Sequence, residues 1–196
     1  MIEPGNRLFF ALMPDAVART ACEAAVRDLK LRMQPQGRWI NAQRYHMTLL
    51  FLGDEVTPEQ EQKALAVAHR VSSPPFMLTL NQALGFRNRE IPWVLTPQEV
   101  PLELTQLHDR LRDALRAAAV PPERLRFSPH LTVLRNGGQM LPLTRIGPVS
   151  WQVDEFVLIR SVLRQQPAQY QILGRWPLNG VAGPDRTPAQ MNLWEN

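Results

Sequence analysis

The 196-residue sequence contains a single cysteine, Cys22, and therefore has no internal disulfide. Its apolar runs are short: residues 8–13 fall far below the roughly 20 residues of a membrane span and lack the basic flank of a signal peptide. No CxxC pair, HExxH motif or carboxylate cluster has metal-ligand spacing. We therefore expect a cytoplasmic protein with no membrane anchor, no metal and no other cofactor.

Lysine is also scarce, since only Lys30 and Lys63 are found among the 22 basic residues, and the formal net charge is +4. Arginine binds phosphate through a planar fork, so this bias suits a polyanionic partner such as RNA. A GC-rich coding sequence would raise arginine, alanine and proline in the same way. Charge alone does not separate these two explanations.

Hydrophobic periodicity and capping signals predict helices between mostly hairpin-like strands, which favours an α+β fold over a doubly wound sheet. Helices are predicted over residues 15–30, 57–71 and 101–119. Strands are predicted over residues 7–13, 38–41, 46–52, 76–80, 92–96, 130–135, 149–163 and 170–173. We expect one domain over residues 1–180, followed by a C-terminal tail at 181–196 without any pattern.

One short pattern occurs twice, as His46-Met47-Thr48-Leu49-Leu50 and as His130-Leu131-Thr132-Val133-Leu134, 84 residues apart. Side chains alternate along a strand, so each histidine should share a face with its threonine. By the same alternation Leu49 and Phe51 should lie on the opposite face from His46. The duplication suggests two lobes related by a pseudo-two-fold axis, with their polar faces meeting across a cleft.

Paired imidazoles beside hydroxyls suit the opening of a cyclic phosphodiester. One neutral histidine can take a proton from water while a protonated one protonates the departing oxygen, because imidazole titrates near neutrality. Threonine hydroxyls can donate to the non-bridging phosphate oxygens. A single His-x-Thr is usually structural, but two copies in matching context are much less easily accidental.

The two motifs and their flanks resemble the 2H phosphoesterase superfamily, in its branch of bacterial RNA 2',3'-cyclic phosphodiesterases once described as 2'-5' RNA ligases. The matching segments are residues 7–12, 46–53, 127–135, 156–161 and 170–173. This resemblance implies a bilobal fold with two antiparallel sheets and helices packed outside. It also implies that His46 is the general acid, that His130 is the general base, and that Thr48 and Thr132 hold the phosphate. The implied product is a 2'-phosphomonoester, and weak reverse 2'-5' ligation follows by reversibility.

Residues outside the two His-x-Thr pairs are also candidates for the site. Arg135 lies five positions after His130, where alternation places it on the opposite face unless the strand bends, yet the family often has an arginine there to bind phosphate. Phe10 and Tyr170 are candidates for base stacking, although one of Phe9 and Phe10 must pack in the core. Four arginines near predicted loops could follow an RNA backbone, although a solvated surface charge is the simpler reading for each: Arg38, Arg44, Arg87 and Arg89. His69 and His108 lie in predicted helices without a threonine partner and are expected to be surface or interface residues.

Three functions stay open on the sequence. The leading one is hydrolysis of RNA 2',3'-cyclic phosphate ends, with tRNA halves among the candidate partners, by a monomer that needs no metal. A related enzyme could act on another small cyclic or 2'-5'-linked nucleotide. A module that binds RNA ends without catalysis would predict strongly salt-dependent binding and no turnover.

Overall fold

A computed structural model describes residues 6–124, 126–162 and 170–180. Three helices and nine strands lie in this part of the chain. The helices are α1 Ala16–Met33, α2 Pro58–Ala68 and α3 Leu102–Ala117. The strands are β1 Asn6–Leu12, β2 Arg38–Trp39, β3 Met47–Gly53, β4 Phe76–Gly85, β5 Trp93–Thr96, β6 Leu131–Arg135, β7 Thr144–Val153, β8 Glu155–Val162 and β9 Tyr170–Pro177.

The strands form one antiparallel sheet in the order β7-β4-β5-β6-β3-β1-β8-β9, with β2 paired to β6. Its two halves are each four strands wide along this order, and they meet where β3 pairs with β6. Only Met47 and Leu131 are paired at this junction. The α+β class is confirmed, and the two expected sheets are the two halves of one continuous sheet.

The halves repeat one plan. In each half two antiparallel neighbouring strands are connected through a helix, β1 and β3 through α1 and β5 and β6 through α3, with the short β2 added between α1 and β3. Each of these helices also contacts a strand of the other half, α1 against β7 and α3 against β3. The pseudo-two-fold arrangement expected from the duplicated motif is therefore present in the connectivity.

Capping and periodicity explain where the helices form. The Asp15 carboxylate accepts from the backbone N–H of Ala18 at the start of α1. Thr57 and Gln60 form a reciprocal capping box at the start of α2. The leucines of α3 recur at three- and four-residue spacing, and all four are fully buried: Leu104, Leu107, Leu111 and Leu115.

All three helices bury residues in the main core, on one face of the sheet. A smaller apolar cluster lies on the other face and is formed by Phe9, Ala11, Val157 and Ile159. Cys22 is fully buried on α1, and burial raises its pKa to about 12, so it remains a thiol in apolar contact.

The structure corrects one predicted strand. Residues 149–163 were expected to form a single strand, but two strands occupy this region and Asp154 separates them. Strand β7 begins earlier, at Thr144, and forms one edge of the sheet order, whereas β8 lies in the other half, between β1 and β9. Leu163 and the tail over residues 181–196 lie outside the described residues.

Candidate functional site

The turn before β3 positions His46. The side chain of Asn41 accepts from the N–H of Gln43 and begins a short 3-10 turn, Ala42–Arg44. The next residue, Tyr45, is buried and fixes the end of this turn in the core. The Arg44 carbonyl then accepts a hydrogen bond from Nδ1 of His46 at 2.9 Å. With the proton on Nδ1, Nε2 is left available for chemistry.

The segment before β6 positions His130 by an equivalent contact. Nδ1 of His130 donates to the Ser128 carbonyl, two residues earlier, at 2.6 Å. Pro129 is buried, and its carbonyl accepts from the Thr96 hydroxyl at 2.9 Å. Both histidines therefore use Nδ1 on a backbone carbonyl at position i−2, and both leave Nε2 available.

The junction between the halves brings these two histidines together. We call the Met47–Leu131 pair the seam; both of its side chains are fully buried in the core. Because the strands are antiparallel, the residues that flank the pair oppose each other, His46 beside Thr132 and Thr48 beside His130. All four project from the face opposite the seam side chains, which we call the seam face, and all four are partly buried.

A β-bulge in each strand changes which later side chains reach the seam face. In β3, Thr48 pairs with Ala11 and Leu50 pairs with Phe10, so Leu49 is an extra residue. Simple alternation placed Phe51 on the core side, but this bulge moves it to the seam face, where it packs against the smaller apolar cluster.

In β6 the extra residue is Val133, since Thr132 pairs with Val94 and Leu134 pairs with Trp93. Val133 and Leu134 are both fully buried, so the next residue, Arg135, returns to the seam face. Its guanidinium forms an ion pair with Glu90 at 3.1 Å. Strand alternation alone predicted Arg135 on the face opposite His130. The bulge places it on the same face, which is compatible with phosphate binding.

Both imidazoles favour the neutral form in the free protein. The pKa of His46 is lowered to about 4, chiefly by burial and in smaller part by the positive charges of Arg135, His130 and Arg44, while the hydrogen bond to the Arg44 carbonyl opposes the shift. Burial also lowers the pKa of His130, while the Ser128 carbonyl opposes that shift. More cationic groups influence His46, so the two halves of the site are not electrostatically equivalent.

Aromatic rings surround each histidine. Phe9 and Tyr170 lie 5.2 and 5.5 Å from the His46 ring, centroid to centroid. The Phe86 ring lies edge-on to His130 at 4.8 Å. These rings restrict the orientation of both imidazoles and account for much of their burial.

The structure contradicts one predicted stacking residue. Phe10 is fully buried in the main core against Phe156 and Trp176, so it cannot offer a face to a base. Adjacent strand residues point in opposite directions, and Phe9 is the one that reaches the seam face. Tyr170, the other stacking candidate, does lie at the site, with the Arg44 guanidinium 4.6 Å above its ring.

Phe86 escaped prediction, because it lies outside both motifs and no local pattern marks it. Arg44, which was a candidate only for following an RNA backbone, lies at the site two residues before His46. His108, predicted to be a surface or interface residue, is buried within the chain, with its ring stacked on Phe127 at 4.1 Å. That stack anchors the segment whose Ser128 carbonyl holds His130.

Among the described residues, no group of three or more histidine, cysteine, aspartate or glutamate side chains is placed to hold a metal ion. None of the described helices is long and apolar enough to cross a membrane.

Comparison with known proteins supports the resemblance seen in the motifs. The model of the 2'-5' RNA ligase superfamily matches residues 14–164. A protein named RNA 2',3'-cyclic phosphodiesterase from Escherichia coli is 33% identical over 180 residues, which cover 91% of this chain and 99% of that protein. A protein of the same name from Thermus thermophilus is 30% identical, with 90% of this chain and 92% of that one covered.

Solved structures agree with these matches. The crystal structure of E. coli LigT complexed with 3'-AMP has a TM-score of 0.77 and 32% sequence identity, covering 89% of this chain and 99% of that chain. The complex of LigT with phosphate has a TM-score of 0.74 and 31% identity, covering 89% and 98%. The resemblance predicted from the two His-x-Thr motifs is confirmed.

Proposed function

The chain belongs to the 2'-5' RNA ligase superfamily, and we propose that it hydrolyses 2',3'-cyclic phosphate ends of RNA to 2'-phosphomonoesters. One observation carries this proposal: two imidazoles, each held through Nδ1 by an i−2 carbonyl, present their Nε2 atoms on one face beside opposing threonines. In-line opening of a cyclic phosphodiester needs one acid and one base around one phosphate. The names of the relatives point to the same substrate.

The roles follow the family assignment. His130 takes a proton from water through Nε2 while the water oxygen forms a bond to phosphorus. The bond from phosphorus to O3' breaks, and Nε2–H of His46 protonates that oxygen. Thr48, Thr132 and Arg135 hold the non-bridging oxygens, where negative charge accumulates. Because the two imidazoles fill both proton-transfer roles, this scheme needs no metal ion.

The charge state of the free site suits one role directly. A neutral His130 is ready to act as the base. His46 must gain a proton before it can act as the acid, and the anionic substrate favours that proton by offsetting the positive charges of Arg44 and Arg135. Substrate binding and protonation of His46 are therefore coupled.

The primary experiment uses an oligonucleotide ending in a 2',3'-cyclic phosphate, incubated with the protein in excess chelator. We expect a 2'-phosphate product from the wild type and no detectable turnover from His130→Ala. A 3'-phosphate product would overturn the assigned orientation of the substrate. Activity that persists in His130→Ala, or that requires added metal, would rule out the mechanism.

A modified leaving group separates the acid from the base. In a cyclic substrate with sulphur in place of O3', the leaving group is a thiolate. It departs without protonation, because a thiolate is a much better leaving group than an alkoxide. We expect this substrate to restore turnover to His46→Ala but not to His130→Ala. Rescue of the His130 variant instead would reverse the two roles.

We also propose a weak reverse reaction, because the superfamily is described by ligation. A 5'-hydroxyl in place of water would attack the phosphorus of the 2',3'-cyclic end, with its proton passing to His130. The bond from phosphorus to O3' would break, His46 would protonate O3', and the phosphate would remain as a 2'-5' linkage. Two RNA halves, one with a 2',3'-cyclic end and one with a 5'-hydroxyl, should give a trace of joined product at high RNA concentration. No product at any concentration would argue against this activity.

We propose that tRNA halves in the cytoplasm are among the substrates, since their cleaved ends have the chemistry that the site requires. We also propose that the protein acts as a monomer, because one chain supplies both histidines and both threonines. Light scattering coupled to gel filtration tests the second point, and a dimer at assay concentrations would refute it.

A further inference from the structure

Arg44 lies beside the histidine pair although it belongs to neither motif. It closes the 3-10 turn before β3, and its carbonyl is the acceptor that holds His46. Its guanidinium lies 4.6 Å from the centroid of the Tyr170 ring, and that ring in turn lies against the imidazole of His46. The side chain is thus held between β9 and the seam by an aromatic ring, not by a carboxylate.

The charge of Arg44 has no counter-ion in the described part of the chain. None of the ion pairs formed there includes it, and its buried Nε atom has no hydrogen-bond partner among the described residues. Two other arginines on the sheet do have counter-ions, since Arg7 pairs with Asp54 and Arg135 with Glu90. A partly buried cation left unpaired costs free energy, so its retention needs a compensating ligand.

The position of Arg44 identifies that ligand. Arg135 lies on the β6 side of the seam and Arg44 on the β3 side, and both act on His46 electrostatically. Because β3 and β6 are antiparallel, Arg44 and Arg135 both lie towards the His46–Thr132 end of the seam, one from each strand. A phosphate bound beside His46 would therefore have a guanidinium from each strand near it. The Arg44 guanidinium lies against the Tyr170 ring and has no carboxylate partner among the described residues, so its N–H groups can donate to phosphate.

We propose that Arg44 is a second phosphate-binding residue, which together with Arg135 holds the substrate phosphate from opposite sides of the seam. This inference rests on the proposed function for its substrate, but it applies equally to inorganic phosphate. Tyr170 acts as a positioning residue that orients the guanidinium, in place of the base-stacking role predicted for it.

Binding of inorganic phosphate, measured by isothermal titration calorimetry, tests the proposal without requiring turnover. We expect Arg44→Gln to weaken phosphate binding by about tenfold or more, since a charge-assisted hydrogen bond is lost. Arg44→Lys keeps the charge without the fork and should be affected less. The matched control is Arg27→Gln on the exposed side of α1, which should change the dissociation constant by less than about twofold.

A second readout excludes a merely structural role. Removing the Arg44 charge should move the titration of His46 towards higher pH in the free protein, and NMR of the histidine ring protons detects this. Unchanged phosphate binding in Arg44→Gln overturns the proposal, and so does weaker binding of adenosine nucleotides with phosphate binding intact, since Arg44 would then stack on the base. Absence of RNA hydrolysis by a wild type that still binds phosphate through Arg44 would refute the proposed function alone.

Discussion

Phosphate binding should restore a near-neutral pKa to His46. In the free protein burial and the neighbouring cations lower the pKa of His46 to about 4. A phosphate monoanion about 5 Å from the imidazolium, at an effective dielectric constant of about 20, favours the protonated form by roughly 3 kcal/mol. That corresponds to a rise of about 2.4 pKa units, to a value near 6.5. About a quarter of His46 would then be protonated at pH 7, enough for a general acid.

The assay is an NMR titration of the histidine ring protons between pH 3 and pH 8, with and without saturating inorganic phosphate. His46→Gln assigns the resonance. His69, which packs against Trp176 at the end of α2, is the internal control, and its shift should not respond to phosphate. The reasoning is refuted if His46 already titrates near pH 6.5 in the free protein, or if phosphate leaves its titration unchanged.

Three further outcomes follow from the same geometry. The folded state disfavours protonated His46, so the wild type should lose up to about 3 kcal/mol of stability as pH falls from 6.5 to 4, and urea unfolding of His46→Gln should show a shallower loss. Phe10→Ala should lower the free energy of unfolding by about 3–5 kcal/mol, because the Phe10 side chain is fully buried. Glu90→Gln should release Arg135 and tighten phosphate binding by up to about fivefold, a change that calorimetry can detect and that an equal or weaker affinity would contradict.

Much of the fold was predictable because its signals are local. The capping box at Thr57 and Gln60 involves residues three positions apart, and the apolar stripe of α3 repeats every three or four residues. Capping and helical periodicity involve only residues close together in the sequence, so they do not depend on distant partners. The break at Asp154 between β7 and β8 was missed because alternation continues on both sides of it, and only pairing with different neighbours reveals two strands.

The two His-x-Thr motifs also placed the centre of the site, since period-two alternation puts each histidine beside its own threonine whatever the partner strand. The residues around that centre were not predictable. A bulge is set by register against a neighbouring strand, so the extra residues Leu49 and Val133 have no signature of their own. Alternation alone therefore misplaced Phe51 and left Arg135 on the wrong face.

The sequence by itself determines that two histidines, each with a threonine, form the centre of the site. The electrostatic difference between His46 and His130 is a property of the tertiary structure. Each motif contains one imidazole and one hydroxyl, and nothing in the repeat distinguishes His46 from His130. The difference arises because Arg44 and Arg135, from opposite sides of the seam, both act on His46. Tyr170, 126 positions after Arg44, holds that guanidinium in place. Electrostatic coupling depends on distance in space and on burial, and only the folded chain sets both.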